Sequence, residues 1–266
     1  MATTSNKLKA VFTADNKQFL ESVKGVKRAT KQVIGASVAI GAAAAVGGGL
    51  AIREYAKFEK QMSEVNTIAK LGKKDFAELE KQVMNLSAEF GQSKDALTKG
   101  LYDALSAGVP PENAITFLSE ASELAVAGAT DTATAVDILT GVLNAYSMDA
   151  SKASDVSDQL FKAVEFGKTT VPELAQALGQ VAPIASQAGV STQELLGALS
   201  ALTKQSIKTD VATTALRGAL STLLKPSKEL EEQLKTTFGT ANAQAILKSN
   251  TLQEVLNKLA ETVDND

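Results

Sequence analysis

TVPELAQALGQVAPIASQAGVSTQELLGALSALTK, residues 170–204, reads as two amphipathic helices and the corner between them. Leu174, Leu178 and Val181 fall on one stripe of the first helix, and Leu195, Leu199 and Leu202 on one stripe of the second. These are the three- and four-residue steps of a helix with a single buried face. Each helix opens on a hydroxyl residue followed three positions later by Glu, Thr170 with Glu173 and Ser191 with Glu194. In that pattern the hydroxyl accepts from the third backbone N–H while the Glu reaches back to the cap, so two orphan donors are satisfied at once. Between them, Ala188-Gly189 closes one helix and Ser191 opens the next. Pro183 is expected to kink or end the helix that contains it.

The same grammar extends in both directions. AGVPPEN at 107 and AGATD at 127 repeat the Ala-Gly corner, with glycine taking the positive φ that closes a helix. Their spacing to AGVSTQE at 188 is not periodic, so a solenoid is not implied. A third capping box joins Thr251 to Glu254, Gly91 closes a helix that Ser93 follows as a cap, and Pro226 should lie beyond a helix end. Phe58, Met62, Val65 and Ala69 make one stripe that Gly72 stops, and Phe76, Leu79, Val83, Leu86 and Phe90 step 3-4-3-4 like a packing seam. Further core-facing sets are Leu97, Leu101, Leu105; Ile115, Leu118, Leu124; Val136, Leu139, Leu143, Tyr146; Val156, Leu160, Val164; and Leu216, Leu220, Leu223. The fold class is therefore all-α: a multi-helix bundle of short capped antiparallel helices. A basic N-terminal helix, with Phe19, Val23, Val26 and Thr30 on one face, and an Ala/Gly-rich apolar helix precede it. Residues 1–31, 32–53 and 54–266 divide the chain into basic segment, apolar segment and helical module.

Composition narrows the function classes. The chain of 266 residues has no histidine, cysteine or tryptophan. That removes the proton shuttle that titrates near neutrality, every thiolate, all disulfides and the commonest zinc ligands. No phosphate-cradling loop, nucleophile elbow or EF-hand loop is present, and no carboxylate spacing singles out an acid/base pair. The reading is of a protein that is not an enzyme, with no catalytic, cofactor-binding or metal residues and no cofactor.

Charge and hydropathy single out the N-terminus instead. Residues 1–31 hold seven Lys/Arg against two acids, a net charge of +5, and the remainder carries −8. This basic flank, Lys24, Lys27, Arg28 and Lys31, suits nucleic acid, an acidic protein wall, an anionic membrane or simply a solvated helix face. No aromatic residues interleave with the lysines, so no specific nucleic-acid site is expected. Next comes VIGASVAIGAAAAVGGGLAI, Val33 to Ile52, without a charge. Twenty residues of helix span about 30 Å, a bilayer's hydrocarbon thickness. Only seven of the twenty are Val, Ile or Leu, worth about −2 to −4 kcal/mol on insertion scales. Val33, Ile34 and Ile52 mark its apolar ends, and Gly41 with Ala45 and Ala45 with Gly49 give the four-residue small spacing of close helix packing. Gly47, Gly48 and Gly49 make a hinge or break there. Packing against helices or other copies, conditional membrane insertion and a constitutive span all remain open.

A resemblance covers most of this. FEKQMSEV, LSAEFGQSKDALTKGLYDALSAGVPPENAITFL, ASELAVAGATDTATAVDIL, NAYSM, ASDVSDQLFKAV, the stretch quoted first and TTALRGALSTLLKPSKEL follow one another in order between Tyr55 and about Leu234. Together they resemble the core region of phage tail tape measure proteins, the minor tail proteins of long-tailed phages and phage-derived particles. LKAVFTADNKQFLESVKGVKRATK is similar to that family's opening. Two departures stand out. SIKTDVATTALR replaces a glycine-rich G-I turn, and the chain stops at DND where the family's core continues, which implies a module cut short at its C-terminal end. The resemblance implies a virion protein in the lumen of the tail tube or at the tail tip, present in the host cytoplasm during assembly. Its expected work is to scaffold the tube, set tail length and leave during DNA ejection. Its expected partners are its own copies, three or six, the tail tube and tail tip or baseplate proteins, and the host membrane on infection. The alternative is a membrane-inserting or permeabilising all-α protein acting through residues 33–52. A wholly helical chain of this length would span about 400 Å. The corners should fold it far shorter, so residues 54–266 are expected to be a module near one end of a longer tape measure.

Overall fold

All three capping boxes form. In the computed structural model, which describes the backbone of residues 48–263 and the side chains of 54–261, Thr170 and Ser191 each accept from the backbone of the Glu three residues on, and those Glu side chains accept from the cap N–H. Thr251 and Glu254 do the same at 3.2 and 2.9 Å. Ser93 caps the helix after Gly91, which stands at φ +67°. No strand occurs among the described residues. The helices are α1 (Gly48–Ala69), α2 (Lys73–Phe90), α3 (Lys94–Ser106), α4 (Ala114–Ala127), α5 (Thr132–Ala145) and α6 (Ala153–Phe166), the last preceded by a 3-10 turn. After them come α7 (Val171–Ala188), α8 (Thr192–Lys204), α9 (Thr209–Leu224), α10 (Lys228–Phe238), α11 (Ala243–Ser249) and α12 (Leu252–Val263).

These helices group into two compact units that divide between Val136 and Asp137, inside α5. In the first, α3 packs against α1, α2 and α4, and α2 also meets α4. Phe58, Met62 and Val65 of α1, Val83 of α2, Leu97 and Leu101 of α3, and Phe117 and Leu118 of α4 are essentially sealed from solvent. Lys57 pairs with Asp95 across α1 and α3, and the Lys94 ammonium sits 5.6 Å from the centroid of the Phe58 ring. In the second unit α7 packs most extensively on α9, and α6 on α8. The buried face of α7 mixes Leu174, Leu178 and Val181 with Ala177, Ala182, Ala185 and Ala188. Small side chains let a neighbouring backbone come close, which suits a helix with partners on more than one side. α11 rests on α7 and α9, tied by the Gln244 amide donating to the Gln187 carbonyl at 2.8 Å, and α12 rests on α11.

Several expectations need correction. α1 is closed not by Gly72 but by Lys70, at φ +52°, where Asn66 supplies what glycine would have made easy. Its Oδ1 accepts the Leu71 N–H at 2.8 Å and its amide donates to the Leu71 carbonyl. Gly72 instead opens α2 as its N-cap. At the AGATD corner Gly128 keeps a negative φ of −87°, and Ala129 takes the left-handed position at +50°. Pro183 does not end its helix: α7 runs through it to Ala188, with Pro183 on the exposed side. Pro226 does lie beyond α9. Phe76, Phe90, Ile115, Tyr146, Val164 and Leu202 are half-buried, whereas Phe117, Ile138, Val142 and Leu196, outside the narrow stripes, are fully buried. A helix flanked by more than one neighbour buries a wider arc than a 3-4 stripe.

The departure SIKTDVATTALR resolves in the same way. Ser206 stands at φ +66°, with its N–H donating to Thr203 O and Ile207 N–H to Leu202 O, so the turn keeps a glycine-like conformation without a glycine. Left-handed backbone costs a side-chain-bearing residue about 1 kcal/mol. Replacing Ala129 or Ser206 by glycine should therefore stabilise the protein by roughly 0.5–1 kcal/mol each. Urea unfolding should show this as a higher midpoint at unchanged slope.

Candidate functional site

Most of the segment singled out by sequence lies outside the described residues: Val33, Ile34, Gly41, Ala45 and Gly47, together with the basic flank Lys24, Lys27, Arg28 and Lys31. Gly48, Gly49 and Ile52 form the first turns of α1, so from Gly48 onward the backbone is helical. Among the described residues no helix is long and apolar enough to cross a membrane, and no three acidic side chains gather as a metal site.

What the folded part offers is a set of inter-helix seams. At one of them, Glu173 Oε2 accepts from the Thr170 N–H at 3.1 Å and from the hydroxyls of Thr169 at 3.1 Å and Thr209 at 3.3 Å. The capping box of α7 thereby reaches the start of α9, and the two hydroxyls lie 2.9 Å apart. A carboxylate that accepts from three donors on two elements ties two helix starts together. At a second seam, the Ser200 hydroxyl reaches the Ala163 carbonyl at 3.2 Å and the Lys168 N–H donates to Thr203 Oγ1 at 3.2 Å. Gly167 permits that approach. A β-carbon there would meet Ala163 O and Thr203 Oγ1 at 2.7 Å and Ser200 Cα at 3.1 Å. Thr192 of α8 also donates to Gln159 of α6 at 2.7 Å. Sequence reading missed these seams, although buried hydroxyls at Ser200, Thr203 and Thr209 in otherwise apolar stripes were their available signal.

The first unit carries an open depression of about 300 Å³ between α2 and the start of α4. Leu79, Pro111 and Ile115 form its apolar lining, and Asp75, Glu78 and Glu112 its charged one. Elsewhere on α2, burial raises the Glu80 pKa, with the charge of Glu59 on α1 adding to it. At the start of α5 the Thr134 N–H holds Asp131 below its ordinary value, so this cap's stabilisation is present above the unfolded pKa and is lost as pH falls through the lowered one. Burial pushes the Tyr146 hydroxyl up, with Glu194 contributing, and its oxygen has no hydrogen-bond partner. None of these groups converges on a common point with a nucleophile. The geometry is that of packing surfaces.

Comparison with known proteins agrees with that geometry. The pattern shared by phage-related minor tail proteins matches residues 80–266. A probable tape measure protein of Clostridium phage phiCD119 is 34% identical over 181 residues, 66% of this chain and 19% of the relative. A tape measure protein of Pneumococcus phage Dp-1 is 28% identical over 143 residues, 54% of this chain and 12% of the relative. The chain thus matches about a fifth of the first relative's length and about an eighth of the second's. No solved structure matches it. The family is structural, with its place in the phage tail, and its match covers residues 80–266: this chain belongs to the phage-related minor tail proteins, the family of the phage tail tape measure proteins.

Proposed function

We propose that the chain is a module of a tape measure protein that scaffolds tail-tube assembly, sets tail length and leaves the tail during DNA ejection. The observation that carries this is the family match over residues 80–266 combined with the small share of each relative that the match covers. A folded module of bundled helices is poorly suited to measure distance by itself, since each turn back of the chain removes axial length. Extended helix elsewhere in a longer protein would supply the ruler at about 1.5 Å per residue. The module works through its packing faces, with its own copies in threefold or sixfold number and with tail tube and tail tip or baseplate proteins. It lies in the tube lumen, after assembly in the host cytoplasm. It performs no covalent chemistry.

The uncharged run Val33–Ile52 favours a second reading, in which the chain inserts into or permeabilises membrane. The two separate cleanly. Tails purified before and after triggered DNA release, quantified by peptide mass spectrometry, should contain the chain before and lose most of it after. Retention of the chain at full copy number in emptied tails contradicts the proposal. Free chain should float with anionic liposomes only after unfolding or proteolysis, whereas flotation of the folded chain favours the membrane reading.

A further inference from the structure

The depression between α2 and the start of α4 combines an apolar floor with carboxylates and no cation among its lining residues. Lys81, one turn along α2, meets Glu78 only at 3.9 Å with its side chain 66% exposed. We propose that this depression receives the basic segment at the N-terminus of the same chain, with Phe19, Val23 and Val26 over Leu79 and Ile115 and the flank Lys24, Lys27, Arg28 and Lys31 around Asp75, Glu78 and Glu112.

Charge and reach both support the pairing. Residues 1–31 carry +5 and the remainder −8, so attraction within the chain is built into its sequence. The spacing of Phe19, Val23 and Val26 gives the segment one apolar stripe, and its cations fall between and beside those positions. That is the chemistry an apolar floor with an acidic rim accepts. α1 begins at Gly48 and its 22 residues carry the chain about 33 Å before Leu71, which lines the depression. The chain between Lys31 and Gly48 spans about 26 Å as helix and up to roughly 55 Å when extended, so the return along α1 requires part of it to be extended, as Gly41 and Gly47 allow. Docking would hold the start of Val33–Ile52 beside the first unit and so keep that uncharged run from lipid.

The absence of cysteine makes a direct test simple. In the full chain, Thr30→Cys with Gln82→Cys places one thiol on the basic segment and one in the depression, for crosslinking with a short bis-maleimide at high dilution. Crosslinked monomer is expected at low ionic strength, reduced roughly fivefold at high salt because exposed charge pairs are screened. Asp75→Lys, Glu78→Lys and Glu112→Lys together should reduce it similarly. Adding Lys24→Glu, Lys27→Glu, Arg28→Glu and Lys31→Glu should restore it, and circular dichroism would verify that each variant keeps its helices. Crosslinked dimer in place of monomer would assign the depression to a second copy and overturn the proposal. Crosslinking that ignores the charge reversals, or none under any condition, would also overturn it.

Discussion

Gly167→Ala is expected to lower stability by about 2–4 kcal/mol, a large share of the roughly 5–15 kcal/mol that holds an ordinary domain together. The added methyl would sit 2.7 Å from Ala163 O and Thr203 Oγ1 and 3.1 Å from Ser200 Cα, two of them backbone atoms that cannot swing aside. Relief of the Ala163 O contact requires the end of α6 to distort, and relief of the Thr203 and Ser200 contacts requires α6 and α8 to separate. Separation breaks the Ser200 bond to Ala163 O and the Lys168 N–H bond to Thr203, each worth roughly 1 kcal/mol when its partners are left buried. Gly179→Ala on α7 is the control. No atom lies within 4 Å of its β-carbon position, so that change should stabilise by roughly 0.5–1 kcal/mol through helix propensity. Urea denaturation followed by circular dichroism reads both. Equal midpoints for the two variants would mean that α6 and α8 are not in close contact in solution.

The parts of this fold that were legible in sequence are those set by neighbours along the chain. Thr170 with Glu173, Ser191 with Glu194 and Thr251 with Glu254 cap helices because the cap needs only four consecutive residues. Gly189 at φ +86° closes α7 for the same local reason. Where a non-glycine residue adopts the left-handed conformation, as Lys70, Ala129 and Ser206 do, composition carries no signal. The strain is offset by contacts such as those of Asn66, which no turn motif encodes. The seams were illegible for a different reason. That Thr209 would meet Glu173, or Ser200 the Ala163 carbonyl, depends on which helix faces which, and periodicity gives a face without naming its partner. Phe117 and Leu196 were passed over because a 3-4 stripe underestimates the arc that a helix with several neighbours buries. The segment chosen as the functional site, residues 33–52 with its basic flank, lies mainly outside the described residues.

On the function proposed above, in-frame deletions in a longer reading frame would separate a ruler from a folded module, and they carry the other large expected effect. Each residue removed from extended helix outside this region should shorten the tail by about 1.5 Å, so that a loss of roughly 100 residues shortens it by about 150 Å. Removing α7 to α9 deletes the buried faces of Leu174, Leu178, Val181, Leu195, Leu199 and Leu216 together. The second unit loses its core by that deletion, and tails should fail to form rather than form short. Electron microscopy of tails from such a deletion series is the most direct test. The account predicts length falling in proportion to deletions outside the module and no tails when the module is broken. Tails of unchanged length in the first set, or proportionally shortened tails in the second, would contradict it.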